Sequence, residues 1–304
     1  MLNFQLRALF ALLFFPLFTA QATLWTPSEI STAMWLDADD FSTVTADGGN
    51  LVAQWNDKSG NDRHVSEATH QPTYNPSGWS NGRAHIEFDI YNGASRAHTL
   101  GRDVSGDGIS GSAYTLFLVL NARQAPGDNE GWPHTARDIN GKENRFQINS
   151  NGVRVRSDAS NGGSTSGAFV AGEQILQFTL DSVSSSVWRN GAMIAGNSGT
   201  FSPAALTGDF AINGRNSGDG HAGTEGDFAE WIYLTYNPDL DTRQTIEGYL
   251  AHKWGLEGSL AGDHPYKNAA PMLIPEPDAL ALIVVGGLSL VGLRNFRRSG
   301  ISRE

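Results

Sequence analysis

The chain has 304 residues and no cysteine, and its 32 acidic residues outnumber its 21 Lys and Arg, giving a formal net charge of −11. These counts exclude a disulfide framework and thiol chemistry. They also argue against nucleic acid as a partner, because so acidic a surface repels phosphate backbones. About 250 residues lie between two apolar end segments, a length typical of one β-sandwich or barrel.

The first 22 residues have the three parts of a secretory signal peptide. Arg7 supplies a basic start, residues 8–18 form an apolar core, and Ala20-Gln21-Ala22 gives a small-residue cleavage pattern. The apolar core is too short for a membrane span, and polar sequence follows at once. We therefore expect cleavage after Ala22 and export of the body.

Apolar stretches of strand length recur along the body and are separated by turn-forming residues. Most alternate apolar and polar side chains, and one is apolar almost throughout, which is typical of a central buried strand. The predicted strands cover residues 34–36, 51–55, 84–88, 114–120, 174–180, 210–213 and 228–236.

Two hairpins and one helix complete the predicted fold. Asn151-Gly152 and Asn190-Gly191 each separate two apolar strands, and Asn-Gly is a strong hairpin signal because both residues tolerate positive φ. Residues 241–254 carry an apolar helical stripe that ends at Trp254, with Gly255 placed as its cap. The sequence predicts an all-β, two-sheet antiparallel sandwich with one late α-helix.

Motifs at both ends of the body point to one family. They are Trp35-Leu36-Asp37-Ala38, the WNDKSGN run at 55–61, Gly226-Asp227-Phe228-Ala229-Glu230 and the segment 246–256. The pattern resembles bacterial laminin-G-like (concanavalin A-like) jelly rolls over residues 23–271. That resemblance implies a two-sheet binding or adhesion module, often for glycans and sometimes with calcium.

One motif offers an enzymatic alternative. Glu225-x-Asp227-x-x-Glu230 matches in form the E-x-D-x-x-E strand of laminarinase-type glucanases, in which one Glu attacks the anomeric carbon and the other donates a proton. The same residues also fit the non-catalytic family pattern. Glu225 falls in a predicted Gly-rich loop, and simple alternation places Asp227 and Glu230 on opposite faces unless a bulge intervenes.

No cofactor is certain from the sequence, and calcium is the one candidate, with two possible sites. Oxygen-bearing side chains at alternate positions before a glycine are typical of the first half of a calcium loop. That pattern is present in Asp103, Ser105 and Asp107. The second candidate is an oxygen cluster that forms if the first two loops meet, and its members are Asp37, Asp39, Asp57 and Asn61. Plain turns and helix caps are the competing interpretation of both sets.

The predicted loop 124–142 is the expected edge for a carbohydrate ligand. It combines aromatic and hydrogen-bonding side chains, which suit the apolar face and the hydroxyls of a sugar: Trp132, His134, Arg137 and Asp138. The sequence has neither the H-E-x-x-H spacing of zinc hydrolases nor the G-x-S-x-G elbow of serine hydrolases.

The C-terminal segment 272–304 has three parts in a fixed order. Pro275-Glu276-Pro277 interrupts any helix, residues 279–293 are an apolar run, and Arg294, Arg297 and Arg298 close it. Fifteen residues of helix reach about 22 Å, which is short for a hydrocarbon core of about 30 Å. The arginines favour the cytoplasmic side for that end.

This segment resembles the PEP-CTERM sorting signal of Gram-negative bacteria. The resemblance implies processing by an exosortase, a transient inner-membrane span, and delivery to the cell surface or extracellular matrix. Combined with the body, it predicts an exported, non-enzymatic carbohydrate-binding or structural matrix protein with polysaccharide or glycan as partner. The alternative is a retaining glycoside hydrolase of laminarinase type that uses Glu225 and Glu230.

Overall fold

The computed structural model describes residues 23–273, except 90–97, 108, 110, 112, 125–130, 132, 150–151, 158–168 and 215–222. The chain divides into two compact units, Trp25–Pro271 and the two chain ends. The predicted signal peptide, the sorting motif and the apolar run 279–293 lie outside the described residues. Within the described part, no helix is both long and apolar enough to cross a membrane.

Eighteen strands and one α-helix occur in the part of the chain that the structure describes. In chain order the strands are β1 (Thr23–Leu24), β2 (Met34–Asp37), β3 (Val44–Ala46), β4 (Val52–Trp55), β5 (Val65–Ser66), β6 (Thr73–Asn75), β7 (His85–Phe88), β8 (Leu100–Asp103), β9 (Tyr114–Gln124), β10 (His134–Arg137), β11 (Glu143–Asn149), β12 (Gly152–Ser157), β13 (Gly172–Leu180), β14 (Ser184–Arg189), β15 (Ala192–Ser198), β16 (Asp209–Ile212), β17 (Glu225–Leu234) and β18 (Met272–Leu273), and the helix is α1 (Leu240–Trp254).

The unit Trp25–Pro271 is a sandwich of two antiparallel sheets. The first sheet has the order β12-β11-β10-β16-β8-β5-β4-β3, and the second has the order β15-β14-β13-β9-β17-β7-β6 with β2 also paired to β17. In the end unit, β1 pairs antiparallel with β18. The predicted all-β antiparallel sandwich with one late helix is confirmed.

Successive side chains of a strand point to opposite faces of its sheet, so every second side chain from each sheet fills the space between the two sheets. Phe146 of the first sheet stacks on Phe178 of the second with ring centroids 5.1 Å apart. Phe210 and Trp231 meet across the same layer at 6.3 Å. These rings are fully buried, so the inter-sheet core holds the sandwich together by apolar burial.

The Asn190-Gly191 turn and the Gly255 cap form as predicted, whereas Asn151 of the other predicted turn lies outside the described residues. Asn190 and Gly191 connect β14 to β15 with φ of 49° and 80°, the left-handed pair that a two-residue hairpin needs. Helix α1 begins after Asp239, whose side chain accepts from the Thr242 amide, and ends at Gly255 with φ of 74°. Asp239 and Gly255 each satisfy backbone groups at one end of the helix that the helix cannot pair internally.

A bulge in β17 determines which side chains share the outer face of the second sheet. Asp227 pairs with Asn121, but Glu230 pairs with Val119, so one extra residue is inserted after Phe228. The bulge therefore puts Asp227 and Glu230 on the same face, where simple alternation would separate them. Glu225 starts β17 instead of lying in the loop that the glycines predicted.

Candidate functional site

Glu230, one of the two glutamates of the enzymatic alternative, lies under helix α1 with no exposed surface. Its carboxylate accepts from the indole nitrogens of Trp35 and Trp254, both at 2.7 Å. The Tyr249 hydroxyl donates to it at 2.9 Å and the Lys253 ammonium lies 2.8 Å away. Four donors from strand β2 and helix α1 thus surround the group on a central strand.

The charges continue outward from Glu230 as a chain of ion pairs. Lys253 also lies 2.6 Å from Asp37, and Lys58 lies 2.8 Å from both Asp37 and Asp40. Burial raises the pKa of Glu230 and Lys253 opposes that shift. A carboxylate enclosed in this way cannot reach a substrate, so Glu230 has a structural role, in line with the non-catalytic interpretation of this motif, and the enzymatic alternative loses Glu230.

The predicted oxygen cluster of the first two loops does not form. Asp37 is occupied by two lysines, and Asp39 pairs with Arg83. Asp57 accepts from the backbone amide of Trp35 at 2.9 Å, and the Asn61 amide donates to the Thr32 carbonyl at 2.9 Å. Each of the four side chains has its own protein partners, and the four do not face a shared cation.

The predicted calcium half-loop is not formed either. Asp103 accepts from the backbone amide of Ser105 at 2.8 Å, as in an ordinary turn. Asp107 turns away to Arg102 at 2.7 Å and to Arg63 at 3.7 Å. Since two guanidinium groups already face Asp107, the three residues do not converge on one cation.

The predicted carbohydrate edge is only partly a surface. His134 lies in strand β10, fully buried, with Nδ1 3.0 Å from the Ala211 carbonyl. Burial lowers its pKa to about 3, against the opposing effect of that hydrogen bond. His134 is therefore a core residue, and its prediction as a ligand residue was wrong. Trp132 lies outside the described residues.

Arg137 and Asp138, at the end of β10, do line an open surface pocket of about 350 Å³. Asp103 and Ser105 line the same pocket. The first sheet thus brings together residues that the sequence assigned to two separate sites, a carbohydrate edge and a calcium loop.

A second group of polar side chains lies on the outer face of the second sheet, beyond the bulge from Glu230. We define the outer-face cluster as His85, Glu87, Asn121, Arg123 and Asp227. Strand β7 pairs with β17 so that Glu87 stands directly opposite Asp227. His85 Nε2 lies 3.3 Å from a Glu87 oxygen and 4.0 Å from an Asp227 oxygen.

Asp227 and Glu87 differ in their surroundings. Burial raises the pKa of Asp227, and the nearby charges of Arg123 and His85 only partly offset it. Asn121 donates to one Asp227 oxygen at 2.9 Å, and the Arg123 Nε lies 3.1 Å from the other. The side chains of Glu87 and Asp227 are 29% and 12% exposed, so both carboxylates meet solvent where Glu230 does not.

This geometry permits two kinds of chemistry. Ligand atoms of His85, Glu87 and Asp227 all lie within 4.8 Å of one another, close enough to share a divalent cation. The Arg123 guanidinium beside Asp227 opposes a second positive charge there. Two neighbouring carboxyls, one with a raised pKa, also form the acid and nucleophile pair of a retaining glycosidase.

Sequence reasoning selected Asp227 but missed Glu87 and His85. Residues 84–88 were correctly predicted as an alternating strand, with these two side chains on its polar face. Their pairing with Asp227 spans about 140 residues of chain, and no local pattern encodes it. The one signal in the sequence was that the two polar positions of this strand, 85 and 87, both carry ionisable side chains.

Comparisons with known proteins place the fold. No family model matches the chain, and no curated protein matches it. A sialidase of Trypanosoma rangeli in complex with sialic acid is 13% identical, covering 77% of this chain and 36% of that one, with a TM-score of 0.53. That likeness shows the sandwich fold.

Two further solved structures have lower TM-scores. One is domain 4 of AbnA, an extracellular arabinanase of Geobacillus stearothermophilus, in complex with arabinotriose. It is 15% identical over 70% of this chain and 92% of its own, with a TM-score of 0.43. An arabinofuranosidase complexed with arabinofuranosyl-α-1,2-xylobiose is 12% identical. The match covers 65% of this chain and 50% of that one, with a TM-score of 0.48. The chain spans between 26% and 50% of the length of the first solved structures that it matches.

These comparisons correct the predicted function. The sandwich fold of this chain is shared by a protein named as a sialidase, which is in complex with sialic acid. The prediction of a non-enzymatic binding or matrix protein was therefore wrong, and the predicted alternative, a glycoside hydrolase, is the better supported of the two.

The structural role of Glu230 predicts a specific stability change. Glu230→Ala leaves two indoles and a phenol without their acceptor and removes one of the two carboxylates that pair with Lys253, so we expect a loss of about 3–5 kcal/mol in the free energy of unfolding. Glu230→Gln retains one acceptor and should lose less. Urea unfolding followed by circular dichroism measures both, with the exposed Glu29→Gln as control. A Glu230→Ala protein as stable as that control would contradict the assignment.

Proposed function

We propose that the chain is a retaining glycoside hydrolase whose reacting groups are Asp227 and Glu87. The observation that carries the proposal is their juxtaposition on neighbouring strands, with oxygens within 4.8 Å. Retaining enzymes place their two carboxyls about 5–5.5 Å apart, whereas inverting enzymes leave about 6.5–9.5 Å for a water molecule. The carbohydrate-hydrolysing enzymes that share the sandwich support the same reaction class.

The two carboxyls take different roles because their environments differ. Asp227, whose pKa is raised by burial, is the general acid that protonates the leaving glycosidic oxygen. Glu87, the more exposed of the two, attacks the anomeric carbon as the leaving group departs, forming a glycosyl ester. Asp227, now ionised, then takes a proton from water, which displaces Glu87 from the sugar.

Neighbouring side chains position both groups. The Asn75 amide donates to Glu87 at 2.8 Å, and the Asn121 amide donates to Asp227 at 2.9 Å. Burial lowers the pKa of Arg123, but the carboxylates of Asp227 and Asp89 outweigh that effect and raise it. Arg123 is therefore charged, and it stabilises the Asp227 carboxylate that forms after proton transfer.

This assignment revises the residues of the laminarinase-type alternative. Asp227 is kept and becomes the proton donor. Glu230 is removed because it is buried, and Glu87 of the adjacent strand takes the position of nucleophile. Glu225 lies two residues before Asp227 on β17 and contributes to the negative field around Arg123.

We also propose that the protein reaches the envelope or extracellular matrix of a Gram-negative bacterium through a signal peptide and an exosortase. The support is the sequence of the two ends: the Ala20-Gln21-Ala22 pattern, the Pro275-Glu276-Pro277 motif and the arginines that follow the apolar run. Mass spectrometry of the protein from its native host should show a new N-terminus at Thr23 and loss of the arginines. An intact C-terminus in the inner membrane would contradict the proposal.

Removing either reacting group should abolish hydrolysis without unfolding the protein. We expect Asp227→Asn and Glu87→Gln each to lower kcat by about 10²–10⁴-fold, because each removes a group that acts in the transition state. Reducing-sugar release from a panel of polysaccharides measures the effect. Glu29→Gln, an exposed carboxylate in the turn Pro27–Glu29, is the matched control. Full activity in Glu87→Gln would remove Glu87 from the mechanism.

The pH dependence of activity and the effect of a chelator on activity test the same assignment independently. A general acid must be protonated, so activity should fall as the pH rises through the Asp227 pKa, above the ordinary carboxyl value of 3.8. Dialysis against EDTA should leave activity unchanged, and a complete loss would instead favour a cation held by His85, Glu87 and Asp227.

A further inference from the structure

His85 is a buried ionisable residue to which the hydrolysis proposed above assigns no role. It is 2% exposed and lies on β7, two residues before Glu87 and on the same face of the sheet. Its Nε2 lies 3.3 Å from Oε1 of Glu87 and 4.0 Å from Oδ1 of Asp227. An ionised carboxylate can only accept hydrogen bonds, so Nε2 carries a proton and is the donor to Glu87.

Packing fixes the His85 ring in this position. The Trp79 indole meets the ring edge to face, with centroids 6.2 Å apart. That indole is itself anchored, because its Nε1 donates to the Trp254 carbonyl at 3.1 Å. A Cβ atom at Gly78 would collide with the His85 ring, so the loop between β6 and β7 can approach the imidazole this closely only with a glycine there. The ring is therefore held against Glu87.

Asn75 supplies a second donor, and it reaches the same oxygen of Glu87. Its side-chain amide donates to Oε1 at 2.8 Å. Its amide oxygen accepts from the Ser77 backbone amide at 3.3 Å, which fixes the orientation of the group. A Cβ atom at Gly78 would collide with this amide as well. Strands β6 and β7 and the loop between them thus hold two donors against one atom.

The two carboxylate oxygens of Glu87 therefore differ. Each oxygen has two lone pairs, and the donors from Asn75 and His85 engage both lone pairs of Oε1. Among the residues that the structure describes, none donates a hydrogen bond to Oε2. Oε2 is thus the oxygen whose lone pairs are available to form a new bond.

From these contacts we infer that His85 is a positioning residue that, together with Asn75, makes Oε2 the attacking atom of Glu87. The inference rests on the proposed function, because Glu87 must be the nucleophile. In the first step an Oε2 lone pair bonds to the anomeric carbon, and the departing glycosidic oxygen takes the Asp227 proton. In the second step a water oxygen bonds to that carbon and its proton passes to Asp227, while the electron pair of the broken ester bond returns to Glu87.

The two donors act in opposite directions on the two steps. They stabilise the carboxylate more than the ester, because a hydrogen bond to a charged oxygen is stronger than one to a neutral oxygen. The attack in the first step gives up that stabilisation, whereas the departure of Glu87 in the second step regains it. Loss of the His85 donor should therefore slow hydrolysis of the ester more than its formation.

Steady-state kinetics of His85→Leu and His85→Gln test the inference on a panel of 2,4-dinitrophenyl glycosides, whose good leaving group speeds the first step. His85→Leu removes the donor, so we expect kcat to fall about 10–100-fold, the effect of one hydrogen bond to a charged group. KM should fall as well because the ester accumulates, and kcat/KM should change less than kcat. Glutamine offers an amide N–H in place of Nε2–H and should restore most of kcat.

Two further variants serve as control and second test. His252→Leu is the matched control, because it removes a histidine that contacts a backbone carbonyl, that of Tyr266, and it should leave kcat and KM unchanged. Gly78→Ala keeps the His85 side chain but collides with it, so kcat and KM should fall together here too. This variant decides the question if His85→Leu does not fold.

The outcomes separate the role of His85 from the proposed function. In an active wild-type enzyme, a His85→Leu protein with unchanged kcat, or equal losses in His85→Leu and His85→Gln, would overturn the role of His85 and leave the hydrolase in place. A lower kcat with an unchanged or higher KM would also overturn it, since that is the pattern of a loosened site. A wild-type protein that cleaves no glycoside or polysaccharide would remove the hydrolase, and the role of His85 with it.

Discussion

The attachment of strand β2 and helix α1 to the second sheet depends on one buried carboxylate and the four donors that surround it. A charge with no exposure is costly unless every lone pair finds a partner, and Glu230 has partners from the first strand of the unit and from the late helix. Elements that are far apart in sequence are therefore tied to the centre of the second sheet. Lys253, Asp37 and Lys58 extend that chain of contacts outward.

The bulge in β17 divides the outer face of that sheet into two regions. On one side Glu230 lies under the helix, dry and fully paired. On the other side Asp227 remains partly exposed, with a neighbouring carboxylate on β7 and a guanidinium on β9. The same strand thus supplies a structural acid and a chemically available acid within four residues, and the difference between them is coverage by α1. Helix α1 covers only part of the second sheet, so the outer face of that sheet has a covered region at Glu230 and an uncovered region at Asp227.

Local signals in the sequence were sufficient wherever the structure is decided locally. The Asn190-Gly191 hairpin, the Gly255 cap of α1 and the alternating strands were all predicted from the residues. The positions of the site residues were not predictable in this way, because they depend on pairing between strands that are far apart in the sequence. Trp35 and Glu230 are 195 residues apart in the chain, and no window of sequence shows that an indole will occupy that carboxylate.

The misplacement of His134 has the same origin. Its surroundings of glycine, proline and charged residues indicated a loop, but pairing with β11 and β16 on both sides makes this segment a central strand. The imidazole then points into the aromatic core, 4.6 Å from the Phe210 ring centroid. Arg137 and Asp138, only a few residues further along, escape burial because the strand ends there.

The most direct measurement of the central claim is to trap the covalent intermediate. A retaining enzyme treated with a 2-deoxy-2-fluoro glycoside carrying a good leaving group accumulates a glycosyl ester on its nucleophile, which peptide mass spectrometry can locate. The account predicts the added mass on Glu87, within the peptide that contains β7. A label on Glu225, or an active enzyme that releases product of inverted configuration and never becomes labelled, would contradict it.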